Sequence, residues 1–138
     1  MLKKLMKKEE GFTLAELLIV VAIIAVLVAI SIPIFTTQLE KSREATDMSN
    51  LRAAYAEVTA NYLANGAKTA SKGSTKTSAT VTVKQTQKSW QNTENGKLYV
   101  RVNGSEKTIS VPAYDGTKTT WTVYIAPSDA KLVKVSLS

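Results

Sequence analysis

The 138-residue chain has no cysteine and no histidine. Thiol nucleophiles, disulfide staples, imidazole bases and the usual zinc ligands are therefore all excluded, and with them most enzyme mechanisms. Acidic side chains are also scarce, 11 against 18 lysines and arginines, for a formal charge of +7. Four of the lysines and two of the glutamates fall in the first ten residues, so the rest of the chain keeps 14 basic and 9 acidic groups, a formal +5. A surface of this charge is compatible with attraction to teichoic acids, nucleic acid or anionic lipid, but it is also an ordinary solubility charge, and the ordinary reading is preferred. The length suits one domain with a modest core and no second folding block.

What the chain does have is a long apolar run at its start. Lys3, Lys4, Lys7 and Lys8 precede a stretch from Phe12 to Phe35 whose only ionisable side chain is Glu16. At ~1.5 Å per residue this run makes a helix ~36 Å long, enough to cross a hydrocarbon core of ~30 Å. The basic flank keeps its N-terminal end in the cytoplasm and places everything after Phe35 outside. A secretory signal peptide has a shorter apolar region followed by small residues suited to cleavage, whereas this run ends Ile32-Pro33-Ile34-Phe35. A plain membrane anchor explains the length but not Glu16, because a carboxylate in a spanning helix costs ~2.5–3.5 kcal/mol at the helix centre and is rarely kept without a partner. Snorkelling to the headgroups is the alternative for Glu16 taken alone.

The residues Gly11-Phe12-Thr13-Leu14-Ala15-Glu16-Leu17-Leu18 closely resemble the prepilin cleavage and methylation motif of the type IV pilin family. The resemblance comprises a short basic leader, Gly before the scissile bond, Phe after it, Glu as the fifth mature residue, and an unbroken apolar stretch behind. It implies that a prepilin peptidase cuts between Gly11 and Phe12, and that the new amine of Phe12 is N-methylated. It further implies that Glu16 faces such an amine, its own or a neighbour's, when subunits assemble. An unpaired buried carboxylate is strongly unfavourable, so a registered pair would select one offset between helices. Pro33 stands where many pilins have proline and is expected to bend the helix. Ala25 departs from the pattern, since relatives often have glycine there, and alanine makes an extended form of that stretch less accessible. The missing cysteines fit a Gram-positive host more readily than a disulfide-bearing pilin would.

Beyond Phe35, Met48, Leu51, Tyr55, Val58 and Tyr62 recur at spacings of three and four, marking one face of a helix from Thr37 to about Leu63. Glu40, Lys41, Arg43, Glu44, Asp47, Arg52 and Glu57 fall on other faces, expected to meet solvent or neighbouring subunits, with Arg43 and Asp47 as an attractive pair. A helix from Phe12 to about Leu63 would be ~75–80 Å long. That is too long for so small a chain to bury, so its first half is expected to protrude into lipid or into a bundle of identical rods. Asn65-Gly66 stops the helix, and a loop of small and polar residues follows. Its Ser and Thr hydroxyls read equally as glycan acceptors and as plain loop.

From position 80 on, Thr80–Lys84, Lys97–Val102, Lys107–Val111, Thr119–Ala126 and Leu132–Leu137 read as strands, with turns at Asn103-Gly104 and Asp115-Gly116. Four or five strands in an antiparallel meander, packed on the amphipathic half-helix, give an α+β pilin fold. Trp90 and Trp121 are expected in its core or at the sheet rim. The organisation is thus a leader over 1–11, a transmembrane and polymerisation helix over 12–36, and a head over 37–138. The head divides into a helix over 37–64, a loop over 65–79 and a sheet over 80–138. Asp115 and Asp129 are too few for calcium, which takes six or more oxygens, and neither metal nor cofactor is expected. Lys68, Lys72, Lys76, Lys84 and Lys88 could contact DNA backbones, but they lack interleaved aromatics to stack bases, so a solvated loop is preferred.

The expected function is that of a non-catalytic subunit, forming a homo-oligomeric surface filament for motility, adhesion or aggregation. Its partners would be the prepilin peptidase, the pilus assembly machinery and the membrane. The runner-up is a pseudopilin of a type II secretion system or a competence DNA-uptake machine. A monomeric membrane-tethered binding domain leaves the Gly-Phe-Glu spacing unexplained.

Overall fold

A computed structural model describes residues 11–64, 78–102, 104–125 and 133–138. The chain divides into two units, residues 1–37 and 38–138. Helix α1, Leu14–Ala64, supplies the first unit's helix and the second unit's longest element. In the first unit the side chains of the apolar run are exposed, from Phe12 through Phe35.

In the second unit α1 packs on five antiparallel strands: β1 Ser78–Thr82, β2 Lys97–Val102, β3 Ser105–Ser110, β4 Thr120–Ile125 and β5 Val133–Leu137. The α+β class follows the sequence reading, but the strand order is not a simple meander. One sheet runs β1-β4-β5 and a separate hairpin holds β2 and β3. β4 lies in the middle because Trp121, Val123 and Ile125 point into the core opposite Val81 and Ala79 on one side and Leu137, Val135 and Val133 on the other. A strand with buried residues opposite buried residues on both sides has a place only at the centre of the sheet.

The α1 stripe behaves as its spacing predicts. Met48, Leu51, Val58 and Tyr62 are buried, joined by Ala54 and a half-buried Tyr55. Leu98 and Val100 of β2 face the same core, and burial of each such side chain stabilises by ~1.5–3 kcal/mol. Trp121 is fully buried and stacks on Trp90, with centroids 5.8 Å apart and rings 9° from parallel. Each indole N–H finds a carbonyl, Trp90 that of Val111 (3.2 Å) and Trp121 that of Pro112 (2.9 Å).

β1 starts at Ser78, inside the stretch expected to be loop; the rest of that loop, with Lys68, Lys72 and Lys76, lies outside the described residues, as does Asp129. Two turns form where expected. Gly104, at φ +79°, closes the two-residue β2–β3 connection, and Gly116, at φ +91°, follows Asp115. Both are left-handed conformations that glycine adopts without the Cβ clash.

Candidate processing and assembly site

At the start of α1 the backbone N–H of Thr13 donates to Glu16 Oε2 (3.0 Å), and the N–H of Glu16 donates to Thr13 Oγ1 (3.2 Å). Leu17 N–H bonds the Thr13 carbonyl (3.1 Å), the first helical bond. This is a capping box, in which Thr13 stands at the N-cap and Glu16 reaches back from the third helical position. It fixes where the helix begins, so Gly11 and Phe12 lie outside it and both are exposed. The signature Thr13-x-x-Glu16 before an apolar run was present in the sequence. Reading Glu16 only as a charge in search of a cation overlooked it.

Farther along, α1 runs through Pro33. Proline has no N–H to offer the Ala29 carbonyl. Around it three hydroxyls bond helix carbonyls: Ser31 Oγ donates to Leu27 O (2.7 Å), and Thr36 Oγ1 and Thr37 Oγ1 both donate to Pro33 O (3.0 and 2.9 Å). Such back-bonding keeps polar side chains satisfied in an apolar setting. Gly11, Phe12 and Glu16 are thus brought together around the helix start, while Pro33 lies apart on the same helix.

In the second unit the structure corrects the sequence reading. Glu40, Glu44 and Asp47, expected on solvent or subunit faces, are at most 1% exposed. They continue the buried stripe upstream of Met48 and accept hydrogen bonds from the connection between β1 and β2. Asp47 takes the N–H groups of Lys84 (2.9 and 3.0 Å) and Gln85 (3.0 Å). Glu40 takes those of Thr86 (2.7 Å) and Gln87 (2.8 Å) and the Thr86 hydroxyl (2.8 Å). Glu44 takes those of Gln91 and Asn92 (3.0 Å) and the side-chain amide of Asn95 (3.1 Å). Arg43 pairs with Glu40 at 3.2 Å, not with Asp47 as its spacing suggested, because Asp47 is already occupied by backbone donors.

Burial pushes the Glu40 carboxyl up, but the N–H groups of Gln87 and Thr86, the Thr86 hydroxyl and Arg43 together hold it below its ordinary value. For Asp47 burial prevails over its backbone donors and Lys84, and the nearby Glu40 charge adds to the rise. Among the described residues no cluster of three or more acidic side chains is arranged to hold a metal ion. Asp115 Oδ1 accepts from the Thr117 N–H (2.8 Å) and hydroxyl (2.9 Å) and from the Lys118 N–H (2.9 Å), bonds that hold its carboxyl down at about 2 and close the turn.

Compared with known families, residues 6–32 match the prokaryotic N-terminal methylation motif. This is a type IV pilin-like prepilin signal. The match spans Lys7 and Lys8 of the basic flank, the Gly11–Phe12 bond, Glu16 and most of the apolar run. The prepilin signal implies cleavage by a prepilin peptidase and entry into pilus-type machinery, and proteins that carry it are structural rather than enzymatic. No solved structure matches the chain. By length and composition α1 can cross a membrane, with a mean hydropathy of 3.2 over its most apolar window, which agrees with membrane anchoring of a prepilin.

Proposed function

We propose that this protein is the structural subunit of a type IV pilus, inserted with its N-terminus in the cytoplasm and polymerised through α1 into a surface filament. The observation that supports this best is the prepilin signal over residues 6–32, with the Gly11–Phe12 bond outside the helix and Glu16 held at the helix start. Peptidase cleavage adds water across the Gly11–Phe12 bond. It releases residues 1–11 and leaves a new amine at Phe12, which is then N-methylated. Glu16 lies four residues after that amine and is its natural counter-ion, in the same subunit or an adjoining one. In a bundle of apolar helices an unpaired carboxylate is strongly disfavoured, so pairing sets the axial register between subunits. Residues 12–36 form the polymerisation segment and 37–138 the head that the filament displays for motility, adhesion or aggregation.

Mass spectrometry of the N-terminal peptide from sheared surface material of the native host tests this. N-methyl-Phe12 in long filaments establishes processing and assembly together. An intact Met1 leader confined to the membrane fraction would overturn the reading.

A further inference from the structure

The sequence holds three Asn-Gly pairs, at 65–66, 95–96 and 103–104, and at 95–96 the packing of the head dictates both residue types. A Cβ at Gly96 would stand 2.9 Å from Trp90 Cδ1 and 3.2 Å from its Nε1. The indole has no room to give way, because it is stacked on the buried Trp121 and its N–H is bonded to the Val111 carbonyl. The Val111 N–H in turn donates to Gly96 O (2.9 Å). Position 96 therefore calls for glycine.

Asn95 is half-buried. Its backbone N–H closes a turn on the Asn92 carbonyl (3.0 Å), and its side-chain amide donates to Glu44 Oε2 (3.1 Å). Glu44 is fully buried and also takes the N–H groups of Gln91 and Asn92. A neutral donor at position 95 completes that set. An aspartate there would hold two carboxylates at hydrogen-bond distance with no proton between them, an arrangement that repels.

Asparagine followed by glycine is also the pair most prone to lose its side-chain amide, because no Cβ shields the glycine nitrogen from the asparagine Cγ. The Gly96 nitrogen attacks Asn95 Cγ and closes a succinimide ring. Its proton passes through water to Nδ2, the Cγ–Nδ2 bond breaks, and ammonia leaves. Water then opens the ring at either carbonyl, giving aspartate or isoaspartate at position 95. Glu44 opposes the first step, since it holds the leaving nitrogen and with it the side chain that must turn.

We propose that Asn95 is a site of this modification, guarded by Glu44. While the connection between β1 and β2 lies closed on α1, the amide is held and the reaction is suppressed. When the connection opens, the amide is released and converts, and the new carboxylate is repelled from its former place beside Glu44. The head thereby carries a one-way mark of having opened. The inference concerns the head alone and does not depend on polymerisation.

The test follows the peptide containing Asn95 by mass spectrometry, with the full chain kept at neutral pH either folded in detergent micelles or unfolded in urea. Conversion to aspartate and isoaspartate is expected in urea, and conversion at least about tenfold slower in the folded chain, where only the locally open fraction reacts. On warming, the folded rate should rise in step with amide exchange at Gln91 and Asn92, which the same opening exposes. Glu44→Gln leaves one acceptor oxygen where three donors converge, and should raise the folded rate at least about threefold. The near-ultraviolet dichroism of the Trp90–Trp121 stack reports whether that variant stays folded; if it does not, the comparison with amide exchange in the parent chain decides. Asn95→Asp, the product encoded directly, should quicken exchange at Gln91 and Asn92 at least about tenfold. Equal conversion rates in the folded and unfolded chain, no conversion in urea, or unchanged exchange in Asn95→Asp would each overturn the proposal.

Discussion

Replacing Glu44 by leucine sets two physical effects against each other, and the sign of the result decides between them. Buried charges are often liabilities, and exchanging one for a hydrophobic residue of similar volume can stabilise a protein by ~1–4 kcal/mol. Glu44, fully buried, is different because it is the acceptor for two backbone N–H groups and one side-chain amide of the β1–β2 connection. Glu44→Leu leaves those donors without a partner, at ~1–3 kcal/mol each where water cannot reach them. The leucine recovers ~1.5–3 kcal/mol of apolar transfer. Gln91 and Asn92 have exposed side chains and can turn partly to water, which moves the donor cost toward its lower end. The expected net destabilisation is therefore about 2–4 kcal/mol. In a domain of this size that lowers the melting temperature by roughly 10–25 °C. Urea unfolding of the full chain in detergent, followed by the fluorescence and near-ultraviolet dichroism of Trp90 and Trp121, measures it, and amide exchange should localise the loosening to residues 84–95. A variant as stable as the parent, or more so, would refute the idea that this carboxylate serves as a backbone acceptor.

Glu16→Ala should insert and be cleaved normally yet enter filaments poorly, since the register pairing is lost; wild-type yields of sheared filament would contradict the pairing. Gly104→Ala, at φ +79° with open space around its Cβ, should cost ~1–2 kcal/mol through backbone strain alone, and Asn at the same position should restore part of it; an unchanged urea midpoint for the alanine variant would contradict the strain. Acid titration of the side-chain carboxyls by ¹³C NMR should find Glu40 below its ordinary 4.5 and Asp47 above its ordinary 3.8. The signs differ: the Glu40 contribution to stability is present above pH 4.5 and lost as pH falls through its lowered value, while the cost of ionised Asp47 is in force above its raised value and relieved as pH falls toward 3.8. Equal and unshifted titrations would remove the carboxylates from the backbone bonding described.

The parts of the molecule governed by a single period were legible in the sequence. The apolar run from Phe12 to Phe35, the stripe from Met48 to Tyr62 and the alternation in Leu98-Val100 and Trp121-Val123-Ile125 each place side chains by geometry alone, and the structure puts them there. Lys97–Val102 is a strand over the very residues read from the sequence. The order β1-β4-β5 was not legible, because the pairing of β1 with β4 depends on which strand meets the buried side chains of Val81 and Ala79, and no local signal carries that. At the start of α1, Gly11, Phe12 and Glu16 were legible as a motif, but the bond between Glu16 and Thr13 was not sought.

The misplacement of Glu40, Glu44 and Asp47 has a more general cause. Their spacing of four and then three runs directly into Met48 and Leu51, so the periodicity already placed them on the buried face. What misled was the rule that charged residues face water. That rule fails wherever an irregular segment must lie against the core. The connection between β1 and β2 has no strand partner for the N–H groups of residues 84–87, 91 and 92, and buried backbone donors do not go unpaired in native proteins. An apolar helix face would leave them unsatisfied. A face carrying carboxylates at one-turn intervals can hold each part of such a segment in turn, with two acceptor oxygens per residue. Acidic residues that interrupt an apolar stripe in phase with it therefore point to a long, ladderless connection packed upon the same helix face.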